Sequence, residues 1–396
     1  MRVAILHNYV SPQDTIEDLD VLLQVDMVSQ SLKRLGHDQC TLTCTLDLGM
    51  MKEKLGQFQP DVVFNLVETL SGSDSLIYLP PAILDTMGMP YTGSHTESLF
   101  LTTNKLLAKQ RLSQAGLPTP VWIPQDTVYR ANEISSVIDP HSSPLPTVRP
   151  ELAEGQGEGT IIGSEWRVAS GERRSPHLSP LPVGEGTYHN RWIIKNVWEQ
   201  GSRDMEDEAI FEGDMREVRR RLQDRISRTG RPAFVEQFVE GREFDLAMLT
   251  SGQRVEVLPP VEIDFSAFPA GKPRVVGYRA KWQADSFEYH NTPFRFDFPA
   301  ADQPLIDRLR SYAVDCWKLF MLRGWGRVDF RVDKNGQPWI LEINANPCLS
   351  PDASFAAALE YGGIDFDAAI QRILDDALEY HRAGVVDNNN FNTAAK

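Results

Sequence analysis

Residues 324–350 read GWGRVDFRVDKNGQPWILEINANPCLS, and the rest of the chain makes sense around them. From Arg327 to Asp333 charged and apolar residues alternate, the period of a half-buried strand. Asn335-Gly336 follows, a signal for a tight two-residue hairpin turn. The returning segment carries Glu342 and Asn344 two apart, hence on one face. Pairing places Asp329 opposite Glu342 and Asn344, with Arg327 on the same face as Asp329. Three hard oxygen donors beside a guanidinium suit a Mg²⁺–triphosphate site. The metal takes oxygen ligands, and the arginine neutralises phosphate or a developing oxyanion. A solvated hairpin face would also alternate charges. The polar, irregular exit Asn344-Ala345-Asn346-Pro347 is something such a hairpin does not need.

The 396 residues are enough for two or three packed lobes around one site. Hydrophobic residues make up 41% and charged residues 24%, as in ordinary soluble globular proteins, and no apolar run approaches a membrane span. The opening MRVAILHNYV reads as a strand rather than a signal peptide. A formal charge of −15 argues against nucleic acid or an anionic membrane surface as partner, so an anionic nucleotide needs local cations. Cys40, Cys44, Cys316 and Cys348 form no CxxC pair; they predict reduced thiols and a cytoplasmic location.

R-V-D-F, a hairpin and L-E-I-N-A-N-P resemble the metal-binding end of the ATP-grasp ligases. Within them the chain looks most like the D-alanine–D-alanine ligase branch, with its G-x-x-R-x-D and E-x-N-x-x-P patterns. The fold implied is α/β, built from α+β lobes. An N-terminal parallel-sheet lobe takes 1–96, a central ATP-grasp lobe 97–250, and a C-terminal lobe with the metal site 251–382. A flexible tail is expected over 383–396.

The order of elements agrees with that division. A short apolar strand over 2–6 leads to an amphipathic helix over 20–35, stopped by Gly36. Strands near 39–46 and 61–67 continue the alternation. The resemblance makes Glu17 the ligand of the first amino acid's ammonium group. His7-Asn8-Tyr9 stands where the family has a glycine-rich run, and Val67-Glu68 where it has His-Gly; both predict a changed substrate pocket. Pro90-Tyr91-Thr92-Gly93-Ser94 matches the family's junction. A single helix over 102–115 carries Lys105 and Lys109 one turn apart, a spacing usual for solvated lysines. Asn104-Lys105 matches the family's phosphate-binding lysine. Residues 139–190 are rich in Pro, Gly, Ser and Glu without apolar periodicity, and predict a disordered insertion.

Lys195 ends an apolar strand, where a lysine is costly unless it faces an anion. It matches the family's nucleotide lysine. In the next loop Gly201 and Ser202 fit the family's triphosphate loop, Ser202 being a catalytic candidate, whereas Asp204 replaces its second glycine. Residues 233–243, AFVEQFVEGRE, are the second strong match. A hinge there can offer the Gln237 and Val239 backbone to adenine, with Glu236 accepting from the adenine amino group and Glu243 from ribose hydroxyls. Lys281 resembles the cation that meets the substrate carboxylate or transferred phosphate. Trp282 replaces a hydroxyl-bearing aromatic, so one hydrogen bond to the phosphate loop is expected to be missing. Cys348-Leu349 replaces a glycine-methionine pair beside the second amino acid.

The activity implied is ATP-dependent ligation of a carboxylate to an amine through an acyl phosphate. ATP and two Mg²⁺ (or Mn²⁺) ions are the implied cofactors, with Asp329, Glu342 and Asn344 as metal ligands and Arg327 stabilising the oxyanion. Small amino acids or peptides are the expected substrates, and a homodimer is compatible with the resemblance. The altered pocket positions predict that D-alanine is a poor substrate. Two alternatives stand beside this reading: a ligase for other amino acids, and a nucleotide-binding protein without turnover.

Overall fold

The computed structural model describes residues 1–125, 190–198, 201–252 and 254–393. The insertion expected over 139–190 lies outside the described residues except for its last position. Among the described residues, three sheets organise the fold. In the first, β1 (Arg2–Asn8) lies between β2 (Asp38–Cys44) and β3 (Val62–Asn65), all parallel. Both faces of such a sheet are covered, which is why residues 3–6 form an uninterrupted, fully buried apolar run.

Helix α1 (Ile16–Arg34) begins a turn earlier than its apolar spacing predicts, because Thr15 caps it by accepting from the Asp18 amide. Its Val21, Val28 and Leu32 pack on β1 and on Ile370, Ile373 and Leu374 of the closing helix Phe366–Thr393, so the N- and C-terminal lobes share one core. That closing helix runs over most of the stretch expected as a tail. After α2 (Leu48–Phe58) and α3 (Leu79–Thr86) come two helices in place of the single one expected. These are α4 (Thr96–Thr103) and α5 (Lys105–Gln114), and they meet at Asn104. The Asn104 carboxamide accepts from the Leu106 and Leu107 amides and restarts the helix in a new direction.

The central lobe holds an antiparallel sheet in the order β4-β7-β5-β6: β4 (Trp122–Pro124), β5 (Asn190–Asn196), β6 (Ile210–Gly213) and β7 (Ala233–Gln237). The third sheet is built on β8 (Arg242–Ser251), flanked by β10 (Val261–Ile263) and β12 (Trp325–Val332), with β9 (Arg254–Val257), β11 (Phe294–Arg295) and β13 (Pro338–Asn344) completing it. Only residues 238–241 separate β7 from β8. Gly241 has φ +149°, and any Cβ there would collide with the Val332 carbonyl. The helix Gln303–Leu319 covers the far face of this sheet with Leu305, Leu309 and Ala313.

The β12–β13 hairpin has the predicted register, with Asp329 opposite Glu342 and Arg327 opposite Asn344. Its connection is not the tight two-residue turn. Asp333 to Gln337 form a longer loop, because the Asp333 carboxylate accepts from the amides of Asn335 and Gln337 and shapes the turn itself.

Candidate active site

A cavity of about 450 Å³ lies between the second and third sheets and reaches to α1. Every residue that the sequence nominated lies on its wall: Arg327, Lys281, Glu17 and Ser202; Lys105, Lys195, Glu236, Gln237, Val239 and Glu243; Asp329, Glu342 and Asn344.

At the hairpin, Arg327 grips Asp329 through two hydrogen bonds, Nε to Oδ1 at 2.6 Å and NH2 to Oδ2 at 2.9 Å. The Asn344 amide donates to Asp329 Oδ2 at 3.1 Å. Asp245, which β8 places beside Asp329, accepts from Ser354 Oγ at 2.7 Å and lies 3.6 Å from Arg327. Burial, opposed by Arg327 and reinforced by the Asp245 charge, pushes Asp329 up to about 7. Glu342 goes the other way. Burial works against its charge, but Lys105, Lys195 and Lys281 prevail and hold it well below the usual carboxylate range. Lys105 touches it at 2.6 Å.

This donor set fits a hard divalent cation bound with phosphate oxygens and water. Among the described residues no group of three or more Asp, Glu, His or Cys is disposed to hold an ion by itself.

Further along the cavity Glu236, only 1% exposed, has one oxygen 2.5 Å from Lys109 and the other 2.5 Å from Lys195. Lys109, expected on a solvated face, is 1% exposed and donates to Thr119 Oγ1 at 3.0 Å. Burial lowers its pKa against the pull of Glu236. Glu236 is thus held by two lysines instead of lying open to an adenine amino group. Glu243 differs: Arg331 approaches its Oε2 at 2.9 Å without an aligned hydrogen bond, so that oxygen is buried and can still accept. An acceptor on a cavity wall whose cation is not aligned for a hydrogen bond suits a hydroxyl-rich ligand.

The loop from Gly201 to Met205 links the lobes. Ser202 donates to the Val276 carbonyl at 3.0 Å. Trp282 does not lose contact with this loop: its indole N–H donates to the Gly201 carbonyl at 2.9 Å, replacing the hydroxyl that was expected to be missed. Asp204 turns out of the cavity toward Asn196 at 3.3 Å and Arg231 at 3.5 Å. Arg203 crosses to α1 and binds Glu17 and Asp18. The strand exit is stitched to the same helix, for Gln24 accepts from the Leu349 amide at 3.1 Å and Cys348 Sγ donates to Asp20 at 3.0 Å.

Sequence reading missed Lys109, Arg203, Asp245 and Arg331. Asp245 had a faint signal, a carboxylate two residues past Glu243 on the same strand face. The other three depend on long-range packing.

Residues 215–375 match the family model described as the D-ala D-ala ligase C-terminus. The chain is 25% identical over 382 residues to a D-alanine–D-alanine ligase of Moorella thermoacetica, covering 96% of this chain and 100% of that protein. It is 26% identical over 359 residues to an uncharacterized protein, y4sG, of Sinorhizobium fredii, covering 89% and 86% of the two chains. A D-alanine–D-alanine ligase of Bacillus anthracis complexed with ATP has the same fold, with TM-score 0.63 over 97% of this chain and 99% of that one at 16% identity. The chain has the ATP-grasp fold and is similar over nearly its whole length to D-alanine–D-alanine ligases, with residues 215–375 carrying the match to their C-terminal domain. Among the described residues of this ATP-grasp chain, no helix is long and apolar enough to cross a membrane.

Proposed function

We infer that this chain is an ATP-dependent ligase that activates an amino-acid carboxylate as an acyl phosphate and joins it to an amine. The observation that carries this reading is the gathering of Lys105, Lys195, Lys281 and Arg327 along one cavity wall in a chain of net charge −15. Four cations so placed suit a triphosphate and the anion that forms when its γ-phosphoryl group moves to a carboxylate.

The roles follow from position. The backbone of 237–239 edges the cavity where adenine would lie, and Glu243 Oε2, beside Arg331 but not hydrogen-bonded to it, accepts from a ribose hydroxyl. Glu236 keeps Lys195 and Lys109 in place, a positioning task rather than base recognition. Lys105 leaves Glu342 for a phosphate oxygen when nucleotide enters. Asp329, Glu342 and Asn344 would hold Mg²⁺, which supplies neutralisation of phosphate charge. Arg327, oriented by Asp329 and Asp245, faces the tetrahedral oxyanion of the second step. Glu17 accepts from the ammonium group of the first amino acid.

The departures at Val67-Glu68, Trp282 and Cys348 pointed away from D-alanine. Relatives bearing the D-alanine ligase name over nearly their whole length favour small amino acids of that kind, so D-alanine is the substrate we propose. A ligase of this sort draws on cytosolic ATP, which makes the cytoplasm its compartment. The test is ADP release with D-alanine alone against a mixed amino-acid panel. Saturable, D-alanine-dependent release with dipeptide formation supports the reading; release with another amino acid only would replace D-alanine, and no release at all would leave a nucleotide-binding protein.

A further inference from the structure

Of the side chains on the loop from Gly201 to Met205, one reaches across the cavity. Arg203 donates from Nε to Glu17 Oε1 and from NH2 to Asp18 Oδ1 at 3.0 Å, both in the first turn of α1. The Glu17 side chain is 8% exposed, and the guanidinium occupies the Oε1 face of this carboxylate. Tyr278 borders the same carboxylate. Nearby Asp20 is already satisfied by Ser350 Oγ, Cys348 Sγ and Gln24, and offers Arg203 no alternative.

Glu17 cannot present that face to Arg203 and to a substrate ammonium group at once. Arg203 therefore makes with Glu17 and Asp18 the charge contact that a substrate ammonium group would make. Its neighbours in sequence, Gly201 and Ser202, line the same cavity as Lys105, Lys195 and Lys281, so the loop that carries Arg203 borders the cations proposed to meet phosphate. Exchanging two carboxylates for a phosphate oxyanion keeps the arginine paired throughout, so neither end leaves a charge bare.

We propose that Arg203 is a positioning residue displaced by the first amino substrate: the incoming ammonium group takes Glu17 and Asp18, and the freed guanidinium moves to the triphosphate. This rests on the ligase reading above. It makes nucleotide and amino substrate help each other, since each favours the loop position that the other needs, and the coupling is reciprocal.

The test uses the full chain with Arg203→Gln and Arg203→Lys. In ADP release with D-alanine, the Gln variant should show a KM for D-alanine several-fold lower, because the internal competitor is gone, and a kcat at least tenfold lower. The Lys variant should recover most of kcat. An unchanged or raised KM in the Gln variant overturns the proposal, as does parent-like kcat.

If the parent releases no ADP with any amino acid, the ligase reading has failed, and binding of a non-hydrolysable ATP analogue decides the displacement alone. The double change Glu17→Gln with Asp18→Asn should then tighten analogue binding several-fold, and this gain should vanish when Arg203→Gln is added. A gain that persists without Arg203 is a general charge effect and overturns the proposal.

Discussion

The two ends of the cavity handle charge in opposite ways. At the proposed nucleotide end, three lysines and Arg327 meet Glu236, Glu342 and Asp329 in close pairs at 2.5–2.6 Å, Glu236 holding two of the lysines. At the other end Glu17, Asp18, Asp20, Glu68 and Asp74 line the wall, and the guanidinium that reaches Glu17 and Asp18 comes from another lobe. On the proposed function, a triphosphate would exchange partners with carboxylates already in place, whereas an amine would meet an acidic wall. The first arrangement fixes cations in position before the ligand comes. The second stores a demand for a cation.

The sharpest way to break this contrast is at Glu342. Glu342→Gln should cut ADP release by about 100-fold or more while nucleotide still binds, more weakly, because the charge matters most as phosphoryl transfer develops. Parent-rate turnover in the variant would remove Glu342 from the proposed metal site.

Next comes Lys109. Replacing it with Met leaves Glu236 buried with Lys195 as its remaining ion-pair partner. The loss of one member of a buried charge network should cost about 3 kcal/mol in urea unfolding. A cost below about 1 kcal/mol would mean that Lys195 alone satisfies Glu236.

Glu68 probes the other end. Burial, reinforced by the charges of Asp20, Asp74 and Asp18, pushes it up to about 8. A carboxylate raised in the folded state binds a proton there that the unfolded chain has lost, so stability falls as pH rises from about 4.5 toward about 8. Glu68→Gln should therefore stabilise the protein at pH 8 by roughly 2 kcal/mol, a figure discounted for partial solvation, and hardly at pH 5. Thermal melts at the two pH values check it, and an equal effect at both would show that the carboxylate is already ionised at pH 5.

The smallest effect is expected at Asp204, whose carboxylate faces away from the cavity and whose φ of +60° suits glycine. Asp204→Gly should leave the KM for ATP within about twofold. A larger fall would mean that the carboxylate does repel phosphate.

What could be read from the sequence divides along similar lines. The hairpin was legible because strand alternation and the register of Asp329 and Glu342 are local properties. The change of direction at Asn104 was not, since Thr103-Asn104-Lys105 can continue a helix as readily as cap one. Lys109 resembled any surface lysine because the burial around it comes from Thr119 and Glu236, supplied by other elements. Arg203 meets Glu17 across 186 positions of chain, a separation at which no motif operates. The five-residue turn followed from an Asp333 side chain that outweighed the Asn-Gly signal.

The passage from β7 to β8 has a consequence for anyone recombining these proteins. Residues 238–241 are the direct link between the two sheets that face each other across the nucleotide end, and Gly241 lies against the Val332 carbonyl with no room for a side chain. A central lobe transplanted from a relative must re-enter at that glycine, in step with β12. A junction cut one residue to either side would tilt one jaw of the cavity against the other.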